Sequence, residues 1–288
     1  MIEVKELVKT FRRTKVLRGL DLEIARGDRV ALVGSNGAGK TTLIRCLLGE
    51  YTHEGLVTIN GVNPRRQRTM VLGRIGFVPQ LPPPLKMTVG QLVDFTAKVC
   101  GASPRSMEEV AGALGLNVEE IKGRPFVKLS GGEKQKMLIG LALGRDTDLL
   151  IMDEPAANLD PAARQVFFQL LEKRKEQVSM LISSHRLDEV ASLVNRVIEL
   201  DRGRIVLNDH VDDSVDMAAV QRCRLVLARV EPAFAKAIKD WDFSGEADGL
   251  VWTGKVAGPD RLRFLGVLSR YAALLRAVEM KEGGRDEA

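Results

Sequence analysis

The sequence predicts an α/β fold with a mostly parallel sheet, followed by a small α+β domain. Short apolar segments alternate with segments of helical periodicity through most of the chain, which is the pattern of strands joined by crossover helices. A glycine-rich turn at 34–39 joins one of these strands to a helix. Near residue 210 the composition becomes acidic and weakly apolar, and a second run of alternating elements follows.

The elements of the main domain follow from their apolar periodicity. Strands are predicted at 2–7, 29–34, 57–60, 148–155 and 178–185, and a hairpin at 196–209 with its turn at Asp201–Gly203. Helices are predicted after the glycine-rich turn, at 161–177 and at 186–194. A helical insert at about 81–145 opens with LPPPLK, whose prolines fit neither a helix nor a paired strand.

These patterns divide the chain into four parts. The main domain is predicted at 1–209, a linker at 210–221, a small α+β domain at 222–280 and a tail at 281–288. The small domain shows strand, helix, strand, helix and strand in order, with WDFSGEA as a candidate further strand, so a ferredoxin-like fold is expected. The tail, KEGGRDEA, is expected to be disordered.

Composition is that of an ordinary globular protein. Apolar residues make up 45% and charged residues 28% of the 288 residues, and the net charge of +5 is too mild to indicate a nucleic-acid partner. Cys46, Cys100 and Cys223 show no paired spacing, so we expect buried, reduced thiols. The sequence shows neither a secretion signal nor an apolar run of about 18 residues, the length of a membrane span. We therefore expect a cytoplasmic protein whose membrane role would need a separate chain.

The segment ALVGSNGAGKTTLIRC predicts a phosphate-binding loop. It fits G-x-x-x-x-G-K-[ST] with Gly34, Gly39, Lys40 and Thr41, between a strand and a helix. Glycines let backbone N–H groups approach phosphate oxygens closely, and the helix N-terminus adds its dipole. Lys40 would neutralise the β and γ oxygens, and the Thr41 hydroxyl would bind Mg²⁺. The loop therefore predicts a nucleoside triphosphate site.

The segment DLLIMDEP supplies the acidic half of such a site. A buried strand that ends in Asp153 would present a carboxylate to the Mg²⁺ shell. The next residue, Glu154, could polarise the attacking water as a general base. By themselves two acids at a strand end could also be helix caps; together with the phosphate-binding loop they favour a P-loop NTPase.

A second glycine-containing turn, LSGGE at Leu129–Glu133, starts a helix and would form another phosphate cradle without a lysine. At this point the sequence strongly resembles the ATP-binding cassette (ABC) ATPase family, whose signature is LSGGQ. Glu133 replaces the usual glutamine. The resemblance covers roughly residues 2–209 and implies an ABC ATPase core with a helical subdomain.

The resemblance also implies roles for isolated residues. Phe11 would stack on adenine, although Arg12 and Arg13 follow where a glycine is more usual. Gln80 would touch Mg²⁺ and water, and His185, after a predicted strand, would contact the γ-phosphate as a catalytic residue beside Glu154. Asp160, in ANLD, would lie across a dimer interface and also start a helix. The implied nucleotide-binding residues are Phe11, Gly34, Ser35, Asn36, Gly37, Ala38, Gly39, Lys40, Thr41, Thr42, Ser130, Gly131, Gly132, Glu133 and Asp160, with Thr41, Gln80 and Asp153 on Mg²⁺.

Function is implied by the same resemblance. Two ABC ATPase chains would meet head to tail, each ATP lying between the phosphate-binding loop of one and LSGGE of the other. The pair, a homodimer or a pair of relatives, would drive multi-span transmembrane permease subunits from the cytoplasmic face of the membrane. The layout of one cassette and a small C-terminal domain resembles the separate ATPase chains of bacterial exporters and of systems that mature periplasmic copper enzymes, so export is favoured over import. A soluble ABC ATPase in translation or DNA maintenance, or a P-loop kinase, is the alternative.

Overall fold

The computed structural model describes residues 1–184, 190–210, 220–239, 241–246, 248–257 and 261–282. Their contacts separate two compact units. The larger unit contains described residues 1–184 and 193–210, and the smaller contains 190–192 and those after 219. The helix predicted at 186–194 falls largely outside the described residues, as does His185.

Two sheets organise the larger unit. One is antiparallel, in the order β2-β1-β4, and the other has the order β5-β6-β7-β3-β8-β9, parallel except for β9. The strands are β1 (Ile2–Phe11), β2 (Thr14–Ile24), β3 (Arg29–Val33), β4 (Glu54–Ile59), β5 (Ile75–Val78), β6 (Leu149–Asp153), β7 (Ser179–Ser183), β8 (Arg196–Asp201) and β9 (Arg204–His210). Every residue of β3, β6 and β7 is buried, which is why their sequences are continuous rather than alternating apolar runs. The predicted mostly parallel α/β fold is confirmed.

Helices of the larger unit fall into a sheet-packed group and an insert. They are α1 (Lys40–Leu47), α2 (Arg68–Leu72), α3 (Val89–Cys100), α4 (Pro104–Ala113), α5 (Val118–Ile121), α6 (Gly131–Leu143) and α7 (Pro161–Glu172). The insert, α3 to α6, has an apolar core of its own around Met107, Phe126 and Met137. The prediction that α7 continues to residue 177 is wrong. It stops at Glu172 because the polar run KRKEQ has no apolar side chain to bury.

The smaller unit is the expected α+β fold. Its elements are β10 (Val220–Leu227), α8 (Pro232–Lys239), β11 (Ser244–Gly245), β12 (Val251–Ala257), α9 (Arg261–Ser269) and β13 (Leu275–Glu282). The strand order β11-β12-β10-β13, antiparallel throughout, is that of a ferredoxin-like sheet, and WDFSGEA contributes the short β11. Phe234, Trp252 and Phe264 are buried in its core, where the Phe264 ring stacks on Phe243 at 5.1 Å.

Strand pairing extends beyond all three of the predicted boundaries. His210, placed in the linker, ends β9 opposite Arg196, and Gln221 already pairs with Glu282. Glu282 was assigned to the tail, yet it belongs to β13. Each strand continues past the predicted boundary because its backbone N–H and C=O groups form hydrogen bonds with a neighbouring strand. Composition alone does not predict this pairing. Residues 211–219 and 283–288 lie outside the described residues.

The cysteines are largely as expected. Cys46 and Cys223 are buried, and desolvation raises the pKa of each thiol to about 11. Cys100 is only half-buried because it is the last residue of α3, so the expectation of burial is wrong for this one. Among the helices of the described residues, none is long and apolar enough to cross a bilayer.

Candidate nucleotide-binding site

One edge of the six-stranded sheet collects segments that are far apart in the sequence. Strands β5, β6, β7 and β3 are parallel neighbours, so their carboxyl ends lie along the same edge. In the register, Val78 pairs with Met152, Asp153 with Ser183, and Ser183 in turn with Leu32. The chain continues past these ends into Gln80, Glu154 and the glycine loop 34–39, so the predicted phosphate-binding and acidic segments come together.

Sterics explain the glycines of the loop 34–39. Gly34 has φ +145°, and a Cβ there would overlap the carbonyl oxygen of Leu200 in β8. Gly39 has φ +115°, and a Cβ would approach the Leu17 side chain to 2.9 Å. Both positions combine a left-handed backbone with close packing, which only glycine tolerates. The loop is therefore clamped between β2 and β8 rather than free to rearrange.

Lys40 is the first residue of α1 and is buried, with its ammonium held inside the loop. Its Nζ donates to the Gly34 carbonyl oxygen at 2.7 Å and to that of Ser35 at 3.4 Å. Because the N-cap is Gly39 and the first turn contains no acidic residue, the first N–H groups of α1 receive no side-chain cap from the described residues. A buried cation beside uncapped helix N–H groups is a donor set suited to phosphate.

The acidic segment is held by a hydroxyl from the neighbouring strand. Asp153 is buried at the end of β6, and its Oδ1 accepts a hydrogen bond from the Ser183 hydroxyl at 2.5 Å. The backbone N–H of Glu154 donates to the Ser183 Oγ at 3.0 Å and to the Ser183 carbonyl oxygen at 3.2 Å. Glu154 has φ +48°, a left-handed conformation that costs a non-glycine residue about 1–3 kcal/mol. These bonds to Ser183 offset that strain.

The LSGGE segment forms the N-terminus of α6 and is closed by a capping box. The Ser130 hydroxyl accepts from the Glu133 N–H at 3.2 Å, and the Glu133 carboxylate accepts from the Ser130 N–H at 2.7 Å. The other Glu133 oxygen lies 3.2 Å from the Arg124 guanidinium. The Ser130 N–H, then Arg124, hold the pKa of Glu133 below its usual range, so the carboxylate is charged and partnered.

The loop after Glu154 is attached to the same helix. Asp160 caps α7 by accepting from the Ala163 N–H at 2.9 Å, which confirms the predicted helix start. Its carboxylate is 2.8 Å from the Lys136 ammonium of α6, and this contact lowers the pKa of Asp160. Gln135, also on α6 and fully buried, donates to the Pro155 carbonyl oxygen at 2.8 Å. The LSGGE helix and the loop 155–160 are therefore bound to each other.

Comparison with known proteins places these motifs in one family. Residues 17–157 match the ABC transporter family. The Nod factor export ATP-binding protein I of Cupriavidus pinatubonensis is 32% identical over 75% of this chain and 68% of its own. The aliphatic sulfonates import ATP-binding protein SsuB of Frankia casuarinae is 34% identical over 81% and 70%. The chain belongs to the ABC transporter ATP-binding protein family.

Other comparisons show how much of this chain and of each similar protein is covered. The energy-coupling factor transporter ATP-binding protein EcfA2 of Methanospirillum hungatei is 35% identical over 78% of this chain, which spans only 59% of that relative's length. A solved ATP-binding subunit of an ABC transporter is 27% identical over 74% of this chain and 91% of its own, with a TM-score of 0.66. A dimeric ATP-binding cassette in a post-hydrolysis state bound to ADP and Pi shares the fold, with a TM-score of 0.66 at 23% identity over 74% of this chain and 99% of its own.

Oxygen donors at the sheet edge of this ABC cassette fit Mg²⁺. The described residues contain no group of three or more His, Cys, Asp and Glu side chains that could hold a metal by themselves. The carboxylate of Asp153, the hydroxyl of Thr41 and the amide of Gln80 are hard oxygen ligands, and Mg²⁺ typically takes few protein ligands and completes its shell with phosphate and water. The predicted ligand set therefore fits a nucleotide-bound Mg²⁺.

Phe11 lies at the end of β1 in an aromatic and cationic cluster. Its ring meets that of Tyr51 edge-on, with centroids 5.2 Å apart, and the Lys9 ammonium lies 4.6 Å from the centre of the Phe11 ring. Lys9 is itself buried and donates to the Thr52 carbonyl oxygen at 2.7 Å. Phe11 remains 39% exposed, so one part of the ring is accessible to an adenine. Stacking on adenine stays a prediction.

Several residues of this site carried no signal in the sequence. Ser183, Arg124 and Lys136 have no motif that separates them from ordinary surface or strand residues, and each becomes relevant through a contact with a predicted residue. Ser183 could have been suspected from its place at the end of a buried strand beside another strand that ends in an acid. For Arg124 and Lys136 the sequence offers no comparable clue.

Proposed function

We propose that this chain binds ATP with Mg²⁺ and hydrolyses it as the nucleotide-binding subunit of an ABC transporter. The observation that carries the proposal is the edge of the parallel sheet, where the loop before Lys40 follows β3 and the acids Asp153 and Glu154 lie at the end of β6. A Mg²⁺–triphosphate needs hydrogen-bond donors for its phosphate oxygens and an oxygen ligand for its metal. The buried ammonium and the uncapped helix N–H groups are such donors, and the buried carboxylate is such a ligand.

Each residue then has one task. Lys40 and the N–H groups of residues 34–42 bind the phosphate oxygens, while Thr41, Gln80 and Asp153 hold the metal. When bound, Mg²⁺ neutralises charge on the β- and γ-phosphate oxygens. Glu154 orients a water and accepts its proton as the water oxygen bonds to the γ-phosphorus, while the bond from that phosphorus to the β-phosphate oxygen breaks and ADP leaves. His185, outside the described residues, would contact the γ-phosphate.

We further propose that each nucleotide lies between two cassettes, a pair of copies or of close relatives. This sequence carries one phosphate-binding loop and one LSGGE segment, and in this structure they belong to different subdomains. The capping box uses only some of the N–H groups at the start of α6. The others lie at the helix N-terminus, where they can donate to a phosphate held by a neighbouring chain. The dimeric relative bound to ADP and Pi supports pairing.

A membrane-embedded partner is supported by the surface of the helical insert. Phe95 and Val99 lie one turn apart on α3 and are 55% and 59% exposed, and Leu81, next to Gln80, is 75% exposed. We propose that a cytoplasmic helix of a multi-span permease binds to this exposed apolar surface of the insert, beside Gln80. Export is proposed ahead of import on the cassette-plus-small-domain layout, although named relatives include both directions.

The test is Glu154→Gln, which keeps the side-chain size and removes the base. We expect ATP hydrolysis to fall by at least about a hundredfold, the size of a lost general base, while ATP binding persists and ATP-dependent dimers accumulate in size-exclusion chromatography. Glu176→Gln, an exposed acid in the turns after α7, is the charge-matched control and should hydrolyse ATP normally. Hydrolysis by Glu154→Gln equal to that of Glu176→Gln would contradict the assignment.

A further inference from the structure

Ser183 has a buried hydroxyl that is hydrogen-bonded to both Asp153 and Glu154. It is the last residue of β7, has no exposed surface and pairs with Asp153 across the sheet. Its Oγ donates to Asp153 Oδ1 at 2.5 Å and accepts from the Glu154 N–H at 3.0 Å. One hydroxyl therefore contacts the side chain of one acid and the backbone of the next.

These two bonds constrain different degrees of freedom. The bond to Oδ1 restricts the rotation of the Asp153 carboxylate and uses one of its oxygens, which would leave the other oxygen for a metal. The bond from the Glu154 N–H helps to hold a residue at φ +48°, which turns the chain out of the strand directly after Asp153. A hydroxyl that is both donor and acceptor at this place orients a metal ligand and a base together.

We propose that Ser183 is a positioning residue for the metal-binding and hydrolytic step, acting through Asp153 and Glu154. This inference rests on the proposed function, because it assumes that Asp153 holds Mg²⁺ and that Glu154 activates water. It concerns how tightly the metal couples to bound nucleotide and how fast the bound nucleotide turns over, not whether nucleotide binds.

Ser179 provides a matched control within the same strand. It is the first residue of β7, is equally buried, and its hydroxyl accepts a single backbone hydrogen bond, from Gly27 at 2.9 Å. Ser179→Ala leaves the Gly27 N–H without its hydroxyl acceptor, and Ser183→Ala leaves the buried Asp153 carboxylate without its hydroxyl donor. Both variants should therefore lower the melting temperature. Of these two serines, only Ser183 is hydrogen-bonded to Asp153.

The experiment measures equilibrium binding of a fluorescent, non-hydrolysable ATP analogue to the full chain, with Mg²⁺ and with EDTA. The wild type and Ser179→Ala should bind more tightly with Mg²⁺. Ser183→Ala should bind equally in EDTA but lose roughly tenfold of the Mg²⁺-dependent tightening. Its KM with Mg²⁺ should rise with that loss, and kcat should also fall by about tenfold or more, as for other groups that orient a metal ligand.

Ser183→Cys keeps the shape of the side chain, with a slightly larger atom that is a much weaker donor, and it serves as the test if the alanine variant does not fold. It should show the same loss of Mg²⁺-dependent tightening. Metal-dependent binding and kcat equal to those of Ser179→Ala, in either Ser183 variant, would overturn the inference. Failure of the wild type to respond to Mg²⁺ would instead overturn the proposed function.

Discussion

The two predicted phosphate-binding regions of the cassette are built in opposite ways. The sheet edge around Lys40 and Asp153 is buried, and its geometry is imposed by close packing and by short hydrogen bonds. The LSGGE segment is exposed at the start of α6 and is held by a capping box and by ion pairs. The first region is already ordered within one chain. The second presents its donors outward, as expected if its ligand arrives on another chain.

This contrast also decides which change should be most damaging. At the sheet edge, Gly34→Ala would overlap the Leu200 carbonyl oxygen at φ +145°. We expect a loss of about 2–4 kcal/mol in the free energy of unfolding and loss of measurable ATP binding. Chemical denaturation and titration with a fluorescent ATP analogue measure both.

Gly61→Ala, in the turn after β4, is the control for that change. Gly61 also has positive φ, +76°, but a Cβ there would have no atom within 4 Å. It should lose only the strain of the left-handed backbone, about 1–2 kcal/mol, and keep nucleotide binding. If Gly34→Ala and Gly61→Ala behave alike, packing against β8 does not shape the loop.

The exposed region should respond more weakly. Arg124→Ala leaves the Glu133 carboxylate charged beside the incoming phosphates without its guanidinium partner. We expect kcat/KM for ATP to fall roughly two- to fivefold, the range of an exposed ion pair, and more at low salt than at high salt. Adding Glu133→Gln in the Arg124→Ala background should restore activity. Absence of rescue would mean that Arg124 does not act through Glu133.

The smallest effect concerns the link between Asp160 and Lys136. The pKa of Asp160 is held below its usual range by the Lys136 ammonium, so this pair contributes stability above the unfolded pKa of about 3.9, and the contribution disappears as the pH falls through the lower folded value. Asp160→Asn should therefore melt at a lower temperature than the wild type at neutral pH. The difference should shrink below about pH 4 in melting curves. A difference independent of pH would rule out the ion pair as its source.

The fold and the motif positions could be predicted because their causes are local. Buried runs such as LLIMD, the glycine spacing from Gly34 to Gly39 and the capping pattern of Ser130 and Glu133 are each readable within a few residues. Strand ends moved where pairing partners were distant, as for Gln221 with Glu282. The roles assigned to Phe11, Gln80 and His185 stay predictions.

Long-range side-chain contacts could not be predicted. Ser183 reaches Asp153 across 30 residues of sequence, and Asp160 meets Lys136 across 24. Such contacts depend on the order of the strands and the placement of the helices. No single segment of the sequence determines either of these. They lie beside the motif residues because those residues have charges and strained backbones that need partners.

A mixing experiment tests most directly whether two chains share each nucleotide site. Lys40→Ala disables the buried half and Ser130→Arg disables the exposed half, so each variant alone should be inactive where the wild type hydrolyses ATP. In a mixed pair, one of the two sites combines two intact halves, and hydrolysis should reappear at a partial level that increases with protein concentration. A mixture no more active than its separate components would contradict the shared site.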